Sequence, residues 1–282
     1  MDGGTKWWRP MLDAASAFDA PLMQRARGQV RVAAKLRAEK TVLDRLYQSG
    51  SGKARVPRGE GFEVVLLNTA GGVTGGDRFE VNVDVAADTT TTLTTQTAER
   101  IYRSTGENGE IATSMNVAEN ARVDWLPQET ILFDGGRLER SLTVNMAESA
   151  TLLAIEPLVF GRVAMGETVL HGFVSDQWRI HRGGKLVYAD ALRVNGKIAE
   201  TLRSDALLGG AKACASLLYC APDVEDRIDK VRGALLNDGG ASVWNGLLAA
   251  RLVTGDGGTL RAALQRVVSV LRAGAMPRVW FT

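Results

Sequence analysis

Histidine is nearly absent from this chain of 282 residues: His171 and His181 are the only two. Neither has a neighbour at metal-ligand spacing, which argues against a closed zinc or nickel site built from imidazole and thiolate. Cysteine is equally scarce. Cys214 and Cys220 are too few for a disulfide framework, and the N-terminal residues lack the apolar core of a secretory signal, so reduced thiols in a cytoplasmic protein are expected. Charge of one sign is lacking too, with 34 Lys+Arg against 32 Asp+Glu for a net +2. No excess field marks a nucleic-acid or anionic-lipid partner. No run of about 18 apolar residues occurs, so no membrane-spanning helix is expected. Catalytic signatures are missing as well: there is no Gly-x-Ser-x-Gly elbow, no His-Glu-x-x-His and no Gly-Lys-Ser/Thr phosphate loop.

What is present is an ordinary globular composition, 45% hydrophobic and 23% charged, enough for a core without covalent staples. Residues 1–27 show no clear period and read as a loose arm ahead of a single domain over 28–282. From Gly28 the pattern is strand-like. Val30 and Val32 alternate with polar neighbours, strand runs recur at 41–46 and 63–67, and the Gly/Ser-containing stretch 48–53 reads as a turn. Phe79, Val81, Val83 and Val85 then alternate with Glu80, Asn82 and Asp84, giving one apolar and one polar face.

A weak internal repeat follows. The segment DVAADT at 84–89 returns as NVAENA at 116–121 and NMAESA at 145–150, offsets of 116 − 84 = 32 and 145 − 116 = 29. Each copy ends one strand and opens another. A unit repeating at about 30 residues that cannot bury its own apolar edge predicts stacked β-layers. After Arg203 the period changes. Val224, Ile228, Val231 and Leu235, behind Pro222 and Asp223, predict a helix within 222–237, and Leu260, Leu264, Val268 and Leu271, behind Thr259, predict another within 259–273. Arg261, Arg266 and Arg272 fall on the expected solvent side of the second. Short strands at 241–244 and 247–253 lie between them. The fold class expected is mainly β, a β-helix-like stack of short strands with two C-terminal α-helices.

The Gly-rich loop NTAGGVTGGD (68–77) precedes a strand rather than a helix, so it lacks the helix N-terminus that would receive a phosphate and reads as a tight turn needing positive φ. Gln128, Glu129 and Asp134 sit among large apolar residues, either at a solvent edge or buried and satisfied. Glu156 interrupts an apolar run just before Pro157. Arg162 and Glu167 read as a surface ion pair of little energetic weight. Each histidine reads as a strand-edge or surface residue, and the two cysteines as core thiols.

Five ordered blocks carry a resemblance: LNTAGGVTGGD (67–77), TTQTAERIYRS (94–104), WLPQETILFDG (125–135), FGRVAMGE (160–167) and PRVW (277–280). In this order they resemble the urease accessory protein D family, called H in some bacteria, over residues 28–282. The resemblance implies a non-catalytic β-helical scaffold that works with accessory proteins F and G to load nickel into apo-urease. Accessory protein F would bridge this subunit to the GTPase G, and the D subunit would contact the urease subunits. No tightly bound cofactor is implied, only transient Ni²⁺. The family reading also implies a polar passage lined by acids, which by motif position would be Glu60, Asp77, Glu99, Glu156 and Asp190. The scarcity of His and Cys agrees, since a conduit that must release nickel is better served by oxygen than by imidazole or thiolate.

Two other readings stand beside this one. The chain could be a pure assembly adaptor in which the acids are structural, or a carboxylate-dependent enzyme on a β-solenoid. The helices, which break the β-pattern, are the expected docking surface for accessory protein F, with Arg261 and Arg266 at the interface.

Overall fold

The computed structural model describes residues 24–59, 61–162 and 165–281. Most of the expected arm 1–27, and Glu60, therefore lie outside the described residues. In chain order the strands are β1 (Arg27–Arg37), β2 (Lys40–Gly50), β3 (Gly52–Arg55), β4 (Phe62–Asn68), β5 (Arg78–Val85), β6 (Thr90–Thr95), β7 (Glu99–Ile101), β8 (Gly109–Val117), β9 (Arg122–Leu126), β10 (Thr130–Leu132), β11 (Arg137–Met146) and β12 (Thr151–Phe160). These are followed by β13 (His171–Arg182), β14 (Lys185–Lys197), α1 (Ile198–Thr201), β15 (Ala213–Cys220), α2 (Val224–Leu235), β16 (Gly239–Trp244), β17 (Leu247–Thr254) and α3 (Gly257–Leu271).

The strands form two face-to-face sheets, β14-β13-β11-β8-β5-β1-β2 and β16-β17-β15-β12-β9-β6-β4-β3. From β4 to β13 the chain coils, visiting one sheet and then the other, so that β5, β8, β11 and β13 run parallel in the first and β4, β6, β9 and β12 in the second. Short strands β7 and β10 and the end of β12 make a third face, also parallel. This is the stacked β-architecture that the repeat predicts.

The repeat offsets are the coil register. Asp84 pairs with Asn116, and Asn116 with Asn145. Their side chains form a ladder: Asn116 Nδ2 donates to Asp84 Oδ1 at 2.8 Å and Asn145 Nδ2 to Asn116 Oδ1 at 3.4 Å. Four residues further on in the first two copies, Asp88 and Asn120 occupy equivalent turn positions, both with positive φ, a conformation these two residue types tolerate better than most.

The other blocks with family likeness stack at the third face. Val73 bridges to Ile101, Ile101 pairs with Leu132 and Leu132 with Phe160, so four of the five blocks are the same position in successive coils. The Gly-rich loop closes this corner at one end. Both Asp77 oxygens accept backbone N–H groups, from Ala26 at 2.7 Å and Thr74 at 2.9 Å. The described end of the N-terminal segment is thereby tied to the loop.

Strand β12 is buried on both faces, which is why TLLAIEPLVF (151–160) reads as a nearly unbroken apolar run. Leu152 and Ala154 face the inter-sheet core, while Leu153 and Ile155 pack toward the helices with Leu260, Leu264 and Val267. Pro157 is tolerated in this central strand because its parallel neighbour changes there. β9 pairs only as far as Ala154 and β10 begins at Leu158, so the missing N–H falls in the gap.

Three expectations are corrected. The stretch 48–53 is mostly strand, with the turn confined to Ser51 between β2 and β3. Helix α3 starts earlier than Thr259: Asp256 is its N-cap and accepts from the Thr259 backbone N–H at 2.9 Å. Arg261 and Arg272 do not face solvent, and Arg266, though partly exposed, is held in an ion pair. Arg261 grips Glu129 through two bonds of 2.8 and 2.7 Å and also reaches Gln128. Arg272 pairs with buried Asp124, and Arg266 with Asp238. Arg261 and Arg272 turn back onto the second sheet because the buried carboxylates of Glu129 and Asp124 wait there. A further short helix, α1, precedes β15, and no described helix is long and apolar enough to cross a membrane.

Candidate functional site

Alternation along the inner strand faces is broken at one level of the sandwich. In β11 the inward phase reads Leu138, Arg140, Leu142, Val144 and Met146, and in β13 it reads Val174, Asp176, Trp178 and Ile180. The facing strands of the second sheet place Glu156, Ser216 and Arg251 in one hydrogen-bonded register row. Asp190 of β14 faces in beside them. Together these residues make a polar layer that divides the apolar interior. On one side lies the cluster of Val83, Met115, Leu142 and Trp178, and on the other the cluster of Ile101, Leu132, Phe160 and Val174.

Arg140 is the centre of this layer. Its Nη2 and Nε donate to the two Asp176 oxygens at 2.6 and 3.1 Å, and its Nη1 donates to Thr130 Oγ1 at 3.0 Å. Glu156 Oε2 lies 2.9 Å from the same Nε, yet that atom accepts no hydrogen bond, because the N–H is directed at Asp176. The other Glu156 oxygen accepts Trp125 Nε1–H at 3.1 Å. Arg140, Glu156 and Asp176 are each at most 5% exposed. Burial pushes the Glu156 carboxyl above the ordinary glutamate range, with Arg140 opposing and Asp176 adding to the rise.

Further along the row, Arg251 donates to Ser216 Oγ and to Asp190 Oδ2, both at 2.6 Å. Here the layer meets the surface, since the Arg251 side chain is 42% exposed. At the other end a cavity of about 50 Å³ is lined by Glu156, Arg140, Thr130, Trp125, Phe79 and Glu99. It has room for an ion with one or two waters. Glu99 also lines an outer cleft of about 160 Å³ with Asn68, Thr95 and Gln96, and so stands at the boundary between cleft and cavity. Burial pushes its carboxyl up to about 7, against hydrogen bonds from Asn68 Nδ2 and the Arg100 N–H.

The Glu99 shift has a sign that can be checked. Between the ordinary glutamate pKa and about 7 the folded chain holds a proton that the unfolded chain has released, so stability falls as pH rises through that window. Glu99→Gln should remove the loss. Denaturant titration should show the variant more stable than the parent at pH 8, by on the order of 3 kcal/mol, and equal at pH 4. A gap that does not change with pH would exclude this origin.

Of the five acids expected along the passage, the structure brings Glu99 and Glu156 to one cavity and places Asp190 in the adjoining layer. Asp77 serves its own loop and does not line the cavity, and Glu60 lies outside the described residues. Gln128 and Glu129 are buried and held by Arg261, whereas Asp134 is half-buried and caps the Leu170 and His171 N–H groups. Glu167 pairs with Arg162 at 2.8 Å and accepts the Asp134 N–H, which closes the third-face corner. Among the described residues, no three His, Cys, Asp or Glu side chains converge as a metal-binding group. Cys214 and Cys220 are buried and their thiols are pushed up to about 11 and about 12, so both are protonated near neutral pH and poor ligands. His171 is exposed and His181 half-buried.

Arg140, Asp176 and Arg251 were missing from the expected set. For Arg140 and Asp176 the signal was present in the sequence, since each is a charged residue on the apolar phase of an alternating strand; Arg251 interrupts a strand that is apolar on both phases.

A family model described as UreD urease accessory protein matches residues 26–281. A protein named urease accessory protein UreD from Rhizobium leguminosarum bv. trifolii (strain WSM2304) is 48% identical over 264 residues, covering 91% of this chain and 96% of the relative. Another of that name, from Methylobacterium sp. (strain 4-46), is 47% identical over 273 residues, covering 93% and 97%.

Proposed function

Because the chain belongs to the UreD urease accessory protein family, we propose that it is a non-catalytic scaffold of urease maturation whose polar layer passes nickel toward apo-urease. In this reading accessory protein F joins it to the GTPase G, the urease subunits take up the ion, and the complex works in the cytoplasm. The observation that carries the reading is Glu156, which has one buried oxygen without a hydrogen bond and lines a cavity that shares Glu99 with an outer cleft. Oxygen donors met one or two at a time hold nickel weakly enough to release it. Protonated thiols would not trap it on the way.

Glu156→Gln tests this with little change of shape. Urease matured with the variant should carry several-fold less nickel at limiting metal supply, measured by elemental analysis, while pull-down of accessory proteins F and G stays unchanged. Loss of the partners would make the acid structural and favour the adaptor reading. Asp77 is the poorer choice for such a test, since its replacement frees the backbone N–H groups of Ala26 and Thr74.

A further inference from the structure

The polar layer holds two guanidinium groups, Arg140 and Arg251, against three carboxyl groups, Glu156, Asp176 and Asp190. Arg140 therefore neutralises a buried pair of acids alone. Its attachments are unequal. Asp176 receives two aligned hydrogen bonds and Thr130 a third, whereas Glu156 Oε2 is held by charge without one. The guanidinium can thus release Glu156, a residue that lines the cavity, while keeping both bonds to Asp176. Removing a buried cation from two carboxyl groups leaves a demand that a proton or another cation must meet.

We propose that Arg140 is the resident cation of the layer, a tethered gate that occupies the Glu156 oxygen and excludes a divalent ion until it withdraws. The inference rests on the reading of the layer as a nickel passage and adds the residue that controls occupancy. A fixed internal cation also explains how an acid-lined interior avoids becoming a storage site, because an entering ion must displace a competitor already in place.

The test is calorimetry of Ni²⁺ binding to the full chain. Arg140→Gln keeps one amide donor group but removes the charge, and should bind Ni²⁺ at least tenfold more tightly than the parent. Adding Glu156→Gln should cancel the gain. Arg140→Lys keeps the charge but gives up the two-pronged grip, so its gain should be smaller, and it carries the test if Arg140→Gln does not fold. No gain in a folded Arg140 variant, or a gain that survives Glu156→Gln, overturns the proposal. The nickel content of urease separates the two ideas. Impaired loading by Glu156→Gln without any calorimetric gain leaves the passage and removes the gate. A gain with normal loading supports Arg140 as the resident cation and removes the passage.

Discussion

Arg261→Glu should cost about 3–5 kcal/mol of stability, the range for breaking a buried pair by removing one partner, and lower the melting temperature by roughly 10 °C for a chain of this size. Arg261 joins three separate pieces of sequence. It pairs with Glu129, whose side chain is 6% exposed, bonds Gln128, and lies over the Trp280 ring, its centre 5.8 Å away. Trp280 in turn donates its indole N–H to the Leu126 carbonyl at 3.1 Å. Reversing the charge sets two carboxylates against each other and releases both α3 and the C-terminal turn from the second sheet. Arg266→Glu is the contrast. Its partner Asp238 lies at a more open site, with the Arg266 side chain 38% exposed, so the loss should be about 1 kcal/mol or less. Differential scanning fluorimetry of the two variants decides the point, and equal small shifts would refute the clamp. Loss of partner binding in an Arg261 variant would report this instability first, which removes Arg261 as a clean probe of a docking surface on the helices.

Gly72→Ala should be nearly as damaging, on the order of 3 kcal/mol, through backbone strain and overpacking together. Gly72 has φ of 153°, and a Cβ there would meet the Tyr102 ring and stand 2.7 Å from the Arg100 carbonyl oxygen. That oxygen cannot yield, because it accepts the Val73 N–H that seats the loop on the third face. Gly71→Ala, one residue away, is the control: φ is also positive, at 78°, but a Cβ meets nothing within 4 Å. It should cost only the left-handed penalty of about 1–2 kcal/mol. Urea denaturation of the pair checks this, and equal midpoints would show that the contact with Tyr102 is not what requires glycine.

The repeat at 84, 116 and 145 was legible because coil stacking is a local matter. Each turn must supply the same small polar geometry, and each strand must alternate to bury one face, so period and offset are written in residue types. The helices were legible in the same way, through the spacing of Val224, Ile228, Val231 and Leu235 and of Leu260, Leu264, Val268 and Leu271. Their arginines were misplaced because a helical pattern marks which face is apolar but not whether a carboxylate stands opposite the neighbouring face. Long side chains at the border of the apolar stripe turn toward whichever partner the fold supplies.

The sequence by itself determined the coil length, the inward and outward phases, the acid at Glu156 and the poverty in His and Cys that leaves oxygen as the available donor. Only the tertiary structure decided which acids meet. Glu99, Glu156 and Asp176 come from three different faces of the coil, and Asp190 joins them through the antiparallel pairing of β13 with β14. Asp77 is instead taken up at its own corner, where the backbone N–H groups of Ala26 and Thr74 occupy its carboxylate. Arg140 owes its place to the phase of its strand, but its grip on Asp176, 36 residues away, exists only because two coils lie in register.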